Sequence, residues 1–172
     1  MKNVEIKASC QNPDKIRKLL RQLNAKFIGT DNQTDTYFKT NNGRLKLRQG
    51  NIENHLIFYD RDNSQQPKLS KVILYNSSDP QTLKNILSKA LGILITVKKQ
   101  REIYFINNVK FHIDTVEGLG SFIEIEAQDK TDKIPKQHLK QQCQYYLELF
   151  KIPETNLISV SYSDLLLQKI QK

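Results

Sequence analysis

Two segments of this 172-residue chain alternate apolar and charged residues so that all the charges on one face have the same sign. Period-two alternation is typical of a half-buried β-strand, because successive side chains point to opposite faces. One such face is purely basic, with Arg44, Lys46 and Arg48, and another is purely acidic, with Glu124 and Glu126. Like charges two residues apart repel, so each row calls for a counter-ion. For any single strand, a solvated polar face remains the alternative interpretation.

The rest of the pattern predicts an α+β chain dominated by antiparallel strands. Asn12-Pro13 and Asp79-Pro80 are helix-start signals, an N-cap residue followed by proline at the first helical position. Two further helices are predicted over about 135–150 and 161–170. The eight predicted strands cover about 2–10, 26–40, 43–49, 54–61, 69–76, 94–106, 109–117 and 121–128.

The sequence also contains an internal repeat with a shift of 67 residues. The shift superposes Pro13 on Pro80, Asp35 on Glu102 and the Tyr-Phe pair that starts at Tyr37 on a second Tyr-Phe pair. Each half is a capped helix that leads into a long strand. This predicts a pseudo-twofold arrangement in which two halves close one sheet on itself and remove its exposed edges.

The charge balance predicts an anionic partner. The chain has 27 Lys and Arg against 18 Asp and Glu, a net charge of +9, which favours nucleic acid, nucleotide, polyphosphate or an acidic surface. The sequence has no apolar run of the roughly 20 residues that a membrane helix needs and no apolar signal segment at its start. Cys10 and Cys143 are interpreted as reduced thiols. We therefore expect one cytoplasmic domain over residues 1–172, with no membrane partner.

The charged faces become informative when they are considered together. A row of Arg and Lys suits phosphate oxygens, and paired carboxylates suit a hard divalent cation. Lys99 and Arg101 share one face of a further strand, and a glycine-containing turn brings Asp114 close to Glu124. If the sheet closes with its polar faces inward, these rows line one channel, which would bind a metal-chelated polyphosphate.

These motifs resemble those of CYTH domains, the triphosphate tunnel metalloenzymes. The segment Asn3-Val4-Glu5-Ile6-Lys7 is similar to the ExExK strand that opens the family. The basic strand 44–48, the Lys99-Gln100-Arg101 strand and the acidic hairpin of residues 109–126 follow in the family's order. Within the family, the GLGSF turn and the tail at 161–166 look closest to the class IV (CyaB-like) adenylyl cyclases. One position departs from the pattern, because Asn3 stands where the family has its first Glu.

The resemblance implies a closed tunnel of eight antiparallel strands with a polar interior, helices outside, and Mg²⁺ or Mn²⁺ as cofactor. It implies metal ligation, directly or through water, by Glu5, Asp114, Glu124 and Glu126. It implies phosphate contacts from Lys7, Arg44, Lys46, Arg48, Arg61, Lys68, Lys99 and Arg101. The expected catalytic residues are Lys7, Arg48, Arg101 and Asp114.

The expected function is the conversion of ATP to cyclic AMP and pyrophosphate. A metal-dependent triphosphatase acting on tripolyphosphate, thiamine triphosphate or a nucleotide is the alternative, since fold and motifs do not fix the substrate. A non-catalytic binder of polyphosphate or nucleic acid is the third possibility. The acidic hairpin disfavours nucleic acid, because it would repel the strand. Monomer and homodimer both remain open.

Overall fold

The structure is a computed structural model that describes residues 2–60, 68–69, 71–131 and 133–172. Its strands are β1 (Lys2–Ser9), β2 (Lys26–Phe38), β3 (Arg44–Gln49), β4 (Asn54–Asp60), β5 (Lys68–Leu69), β6 (Lys71–Asn76), β7 (Ile93–Ile106), β8 (Val109–Val116) and β9 (Gly120–Asp129). Its helices are α1 (Pro13–Gln22), α2 (Pro80–Leu91), α3 (Lys136–Leu149) and α4 (Tyr162–Ile170), with a 3₁₀ turn over Glu154–Asn156. The predicted α+β class and the four predicted helices are confirmed.

The strands form one antiparallel sheet in the order β5-β1-β9-β8-β7-β2-β3-β4-β6. The predicted strand 69–76 corresponds to β5 and β6, which lie on either side of residue 70. Leu69 and Lys71 are one residue apart, so the two ends of the sheet order meet there within two peptide units. The curled sheet is therefore confirmed, and its complete closure into a tunnel stays a prediction.

Helices start where the sequence supplies a side-chain acceptor. The side chain of Asn12 accepts from the Lys15 amide at 3.1 Å, and that of Asp79 accepts from the Thr82 amide at 3.0 Å. Each satisfies one of the amide groups that the first helical turn leaves unpaired. At α4, Ser161 forms a reciprocal capping box with its third helical residue. The predicted N-caps therefore fix where these helices begin.

The pairing of β2 with β7 supports the predicted repeat. Gln33 lies opposite Lys99, and Asn32 lies opposite Gln100, so a shift of 67 residues exchanges one pair for the other. The register irregularities of the two strands lie near opposite ends of the ladder, after Phe27 and after Tyr37. The pseudo-twofold itself remains a prediction that this symmetric register favours.

The two faces of the sheet differ in polarity. On β1, β8 and β9 the outer face carries buried apolar residues that pack against α1 and α3. Phe111 contacts the ring of Phe150 with centroids 5.7 Å apart, and Leu139 and Cys143 are fully buried above the same sheet face. The alternating polar residues therefore point to the inner face, as the sequence predicts. Among the described residues, none of the helices is long and apolar enough to cross a membrane.

Candidate active site

The inner face of the sheet surrounds a cavity of about 190 Å³. In the described part of the chain, ten charged side chains line it. The basic residues are Lys7, Lys46, Arg48, Lys99, Arg101 and Lys110. The acidic residues are Glu5, Glu53, Glu124 and Glu126. Lys46 and Arg48 of the predicted basic row therefore meet Glu124 and Glu126 of the predicted acidic row in one place.

Three of the basic residues share one carboxylate behind the wall, that of Asp35 on β2. Arg48 donates to Asp35 from Nε and Nη2, both at 2.9 Å. Lys46 and Lys99 donate to its Oδ2 at 3.0 and 2.8 Å. Burial alone would raise the pKa of Asp35, but Arg48, Lys46 and Lys99 together hold that pKa well below its usual value. Asp35 is therefore a buried anion within a basic cluster.

Arg101 is held by a second buried carboxylate, that of Asp114. Its Nε donates to Asp114 Oδ1 at 2.7 Å, and its Nη2 donates to Asp114 Oδ2 at 2.5 Å and to Glu124 at 2.8 Å. The Tyr162 hydroxyl donates to Asp114 at 2.7 Å. Asp114 has no exposed surface. Both of its oxygens therefore face the side chains of β7 and α4, so its immediate task is to fix Arg101.

The Glu124 carboxylate contacts side chains from three other strands. Besides Arg101, it contacts Lys7 Nζ at 3.3 Å and the Nδ1 of His112 at 3.1 Å. Burial lowers the pKa of His112 to about 4, with a further contribution from Arg101 and Lys110. The imidazole is therefore neutral at pH 7, and its Nδ1–H donates to the carboxylate because a carboxylate can only accept. The other ring nitrogen of His112 is buried, and no described residue forms a hydrogen bond with it.

Glu5 and Glu126 form the acidic part of the wall. They lie directly opposite each other across the β1–β9 ladder, where like charges destabilise a sheet. Asn3 donates to Glu126 at 2.7 Å and Gln128 donates to it at 3.2 Å. Both donors are neutral amides, so neither removes the charge of Glu126.

The far side of the cavity is apolar. Ile57 and Tyr59 on β4 lie opposite Leu74 and Val72 on β6, and all four line the cavity. The neighbouring strand β3 contributes Lys46 opposite Ile57. Across these three strands the wall therefore changes from cationic to apolar within one strand spacing.

Comparison with protein families identifies the architecture. The CYTH domain matches residues 1–162 of this chain. The chain belongs to the CYTH family. The resemblance seen in the sequence is thus confirmed, and with it the general chemistry, since CYTH triphosphate tunnel metalloenzymes bind triphosphate substrates and use divalent metals.

Individual relatives align with this chain over nearly its whole length. A Methanocaldococcus jannaschii protein named "Putative adenylate cyclase" is 29% identical, covering 96% of this chain and 98% of its own. The solved structure of PH1012 protein from Pyrococcus horikoshii superposes with a TM-score of 0.83 at 23% identity, covering 95% and 98%. A Hippeastrum structure, a "Putative adenylyl cyclase" described as having a dominant triphosphatase activity, has a TM-score of 0.63 at 18% identity, covering 99% and 96%. These structural similarities establish the fold.

The donor set fits the divalent metal that the CYTH family implies. Mg²⁺ is usually bound through one or two carboxylates, with water and substrate phosphates completing its shell. Glu5 and Glu126, adjacent and of like charge, supply that number of carboxylates. Among the described residues, no cluster of three or more His, Cys, Asp or Glu side chains is arranged to hold a metal. A metal ion bound there would therefore need further ligands, such as water and phosphate oxygens.

Not every predicted site residue lies on the cavity wall. Arg44 lines a separate depression beside α4, where it contacts Asp164 at 2.9 Å and Ser161 at 2.7 Å. Lys68 lies opposite Glu5 in the β5–β1 ladder. Arg61 lies outside the described residues. The other phosphate-contact candidates all line the cavity, namely Lys7, Lys46, Arg48, Lys99 and Arg101.

Sequence reasoning missed several charged neighbours of these residues. Glu53, in the turn before β4, accepts from Arg48 at 3.1 Å and from Lys110 at 2.7 Å. Lys110 shares the inner face of β8 with His112. The alternation of polar and apolar residues along this strand could have indicated that Lys110 lies at the site. Asp35 gave no signal of its own, because its role depends on which strands flank β2.

Proposed function

We propose that this CYTH protein is a divalent-metal-dependent enzyme that converts ATP to cyclic AMP and pyrophosphate in the cavity. The observation that carries the proposal is the convergence of six basic side chains from four strands beside the Glu5–Glu126 pair. The expected roles are phosphate binding by Lys7, Lys46, Arg48, Lys99 and Arg101, and metal binding by Glu5 and Glu126 with Glu124 beside them. Arg44, Arg61, Lys68 and Asp114 stay predicted contributors.

Charge accounting supports metal dependence. The cavity lining of the described residues contains six basic and four acidic side chains. Asp35 and Asp114 lie directly behind and bring the acids to six as well. Burial, opposed by Asp35, lowers the pKa of Lys99 to about 7, which reduces the positive charge further. Among these residues the positive charge does not exceed the negative charge, which favours binding of a triphosphate together with a metal cation.

The mechanism follows from how the wall is divided. The basic residues would bind the β- and γ-phosphates and so stabilise the leaving pyrophosphate. The apolar side would hold base and ribose, which fixes the 3′-hydroxyl in line with the α-phosphorus. A bound divalent ion would supply Lewis-acid stabilisation of the charge that develops on the phosphate oxygens. Turnover then depends on positioning and charge neutralisation by residues already in place.

Triphosphate hydrolysis is the second candidate. The charged part of the cavity can hold a triphosphate without any nucleoside, and the Hippeastrum relative is described as mainly a triphosphatase. The apolar surface formed by Ile57, Tyr59, Val72 and Leu74 favours a triphosphate that carries an organic group, because inorganic tripolyphosphate leaves this surface unused. The two reactions differ in whether the α- or the terminal phosphorus is attacked.

Phosphorus NMR distinguishes these reactions directly. Purified protein is incubated with ATP and Mg²⁺ or Mn²⁺, with tripolyphosphate in a parallel tube and EDTA as the control. The proposal expects pyrophosphate and a cyclic nucleotide resonance that disappear with EDTA. Orthophosphate from either substrate would establish the triphosphatase. No product from either substrate would contradict both candidates.

A further inference from the structure

The buried carboxylate of Asp35 has no assigned role in triphosphate chemistry, yet it organises half of the basic wall. Its side chain is 1% exposed and lies behind the lining residues. Two strands supply the cations that contact it, since Lys46 and Arg48 come from β3 and Lys99 from β7. Because β2 lies between β3 and β7 in the sheet, one inward carboxylate on β2 can reach both neighbours.

We propose that Asp35 is a positioning residue that gathers Lys46, Arg48 and Lys99 into a single phosphate-binding group. The inference rests on the proposed function, because the group has its use in holding a triphosphate. Arg48 is held in a bidentate contact, which fixes the plane of its guanidinium group. The two ammonium groups converge on the same carboxylate oxygen, Oδ2. Three flexible side chains thereby acquire one common geometry before any ligand arrives.

Positioning and simple charge balance predict different consequences. A carboxylate beside three cations weakens their attraction for a polyanion, but Asp35 also opposes the effect of burial on the pKa of Lys99 and so helps to keep that ammonium charged. Its positioning benefit lies in the fixed direction of the cationic groups, which counts where charge develops during reaction. Loss of Asp35 should therefore lower kcat. In a Lys99→Met background, where no ammonium charge can be lost at that position, it should leave substrate affinity unchanged or tighter.

The test compares Asp35→Asn with wild type in two assays. Steady-state kinetics with ATP and Mg²⁺ gives kcat and KM, and calorimetry with tripolyphosphate in EDTA gives Kd and the molar binding ratio. We expect kcat of Asp35→Asn to fall about ten- to a hundredfold, with a binding ratio equal to that of wild type. Lys99→Met should weaken tripolyphosphate binding, because it removes a cation. The double variant Asp35→Asn/Lys99→Met should bind tripolyphosphate as tightly as Lys99→Met or more tightly.

Asp129→Asn is the matched control. Asp129 is also a buried aspartate of the sheet, but it accepts from the backbone amides of Thr131 and Ile134 in the loop after β9. It should leave kcat and Kd at wild-type values. Asp35→Glu keeps the charge and serves if Asp35→Asn does not fold. Its longer side chain should displace the three cations, so it too should lower kcat while the protein stays folded.

Several results would overturn the proposal. They are an unchanged kcat in Asp35→Asn, weaker tripolyphosphate binding in Asp35→Asn/Lys99→Met than in Lys99→Met, a binding ratio that falls in parallel with kcat, or wild-type kcat in Asp35→Glu. Failure of the proposed function gives a different result, because wild type itself would then show no turnover. In that case the calorimetric comparison of Asp35→Asn/Lys99→Met with Lys99→Met still tests the role of Asp35.

Discussion

The basic and acidic parts of the cavity wall are built in opposite ways. On β3 and β7, Lys46, Arg48 and Lys99 each lie within 3.0 Å of the buried Asp35 carboxylate. On β1 and β9, Glu5 and Glu126 face each other across a ladder. The chain thus supplies its own counter-ion for the cations and places the acids as a like-charge pair. The basic side is therefore pre-organised by a buried carboxylate, and we expect the acidic pair to bind a divalent cation.

The largest expected effect comes from removing charge on the acidic side. Glu126→Gln keeps the shape of the side chain and its amide neighbours but removes half of the carboxylate pair. Metal-dependent turnover should fall to background, because the ligand shell then contains a single acid of that pair. The assay is product formation over a range of Mg²⁺ and Mn²⁺ concentrations. Glu154→Gln, on the exposed 3₁₀ turn, should keep wild-type activity.

A smaller loss is expected on the basic side. Arg48→Met removes the guanidinium group that contacts both Asp35 and Glu53. We expect kcat/KM for ATP to fall about a hundred- to a thousandfold, the cost of losing one aligned donor to a charged transition state. Arg21→Met, on the exposed face of α1, is the control. Equal losses in the two variants would mean that the basic wall does not bind phosphate.

The pH dependence of kcat/KM should report the protonation state of Lys99 on the basic side. Its pKa lies at about 7, lowered by burial, so Lys99 is protonated below that pH and neutral above it. kcat/KM, which reports the free enzyme, should therefore fall as pH rises through about 7. Lys99→Met should lack this alkaline limb, and a limb that persists there would assign the titration to another group. The charged groups that face Lys99 are Asp35, Lys46, Arg48 and Arg101.

A substitution at Asn3 is expected to strengthen metal binding. The family places a glutamate there, and in this chain the Asn3 amide donates to Glu126 at 2.7 Å. Asn3→Glu adds a third carboxylate to the acidic side, so the metal concentration for half-maximal activity should fall several-fold, up to about tenfold. A higher metal requirement in Asn3→Glu would show that the carboxylate pair prefers its neutral neighbour.

The smallest effect should come from the apolar side. Leu74 is half-exposed, so Leu74→Ser should cost little stability while it removes apolar contact with a base. KM for ATP should rise a few-fold, in line with the loss of one partly buried aliphatic side chain. Binding of tripolyphosphate, measured by calorimetry, should stay the same. A parallel loss for both ligands would place the nucleoside elsewhere.

How far the sequence predicts this site depends on the distance over which each signal acts. The helix caps at Asn12 and Asp79 are local patterns, and each lies in the structure where the sequence predicts it. The single-sign rows are local patterns too, and all their members except Arg44 line the cavity. Asp35 could not be found in this way, because its partners come from strands that only the sheet order brings beside β2. Arg44 shares the alternation of Arg48, but α4 packs beside it and Asp164 engages it.

Asp114 illustrates the same limit. Its place in the acidic hairpin predicts a metal ligand, and that role stays a prediction. In the structure its two oxygens are engaged by Arg101 and Tyr162. Tyr162 belongs to the last helix, far away in sequence, and periodicity within the hairpin carries no information about that contact.

Mn²⁺ binding in the absence of phosphate tests the division between the two sides most directly. The free ion is followed by electron paramagnetic resonance during titration of wild type, Glu126→Gln and Arg48→Met. We predict that Glu126→Gln weakens Mn²⁺ binding at least about tenfold, whereas Arg48→Met leaves it equal or slightly tighter. Equal Mn²⁺ affinity in wild type and Glu126→Gln, or a larger loss in Arg48→Met, would contradict it.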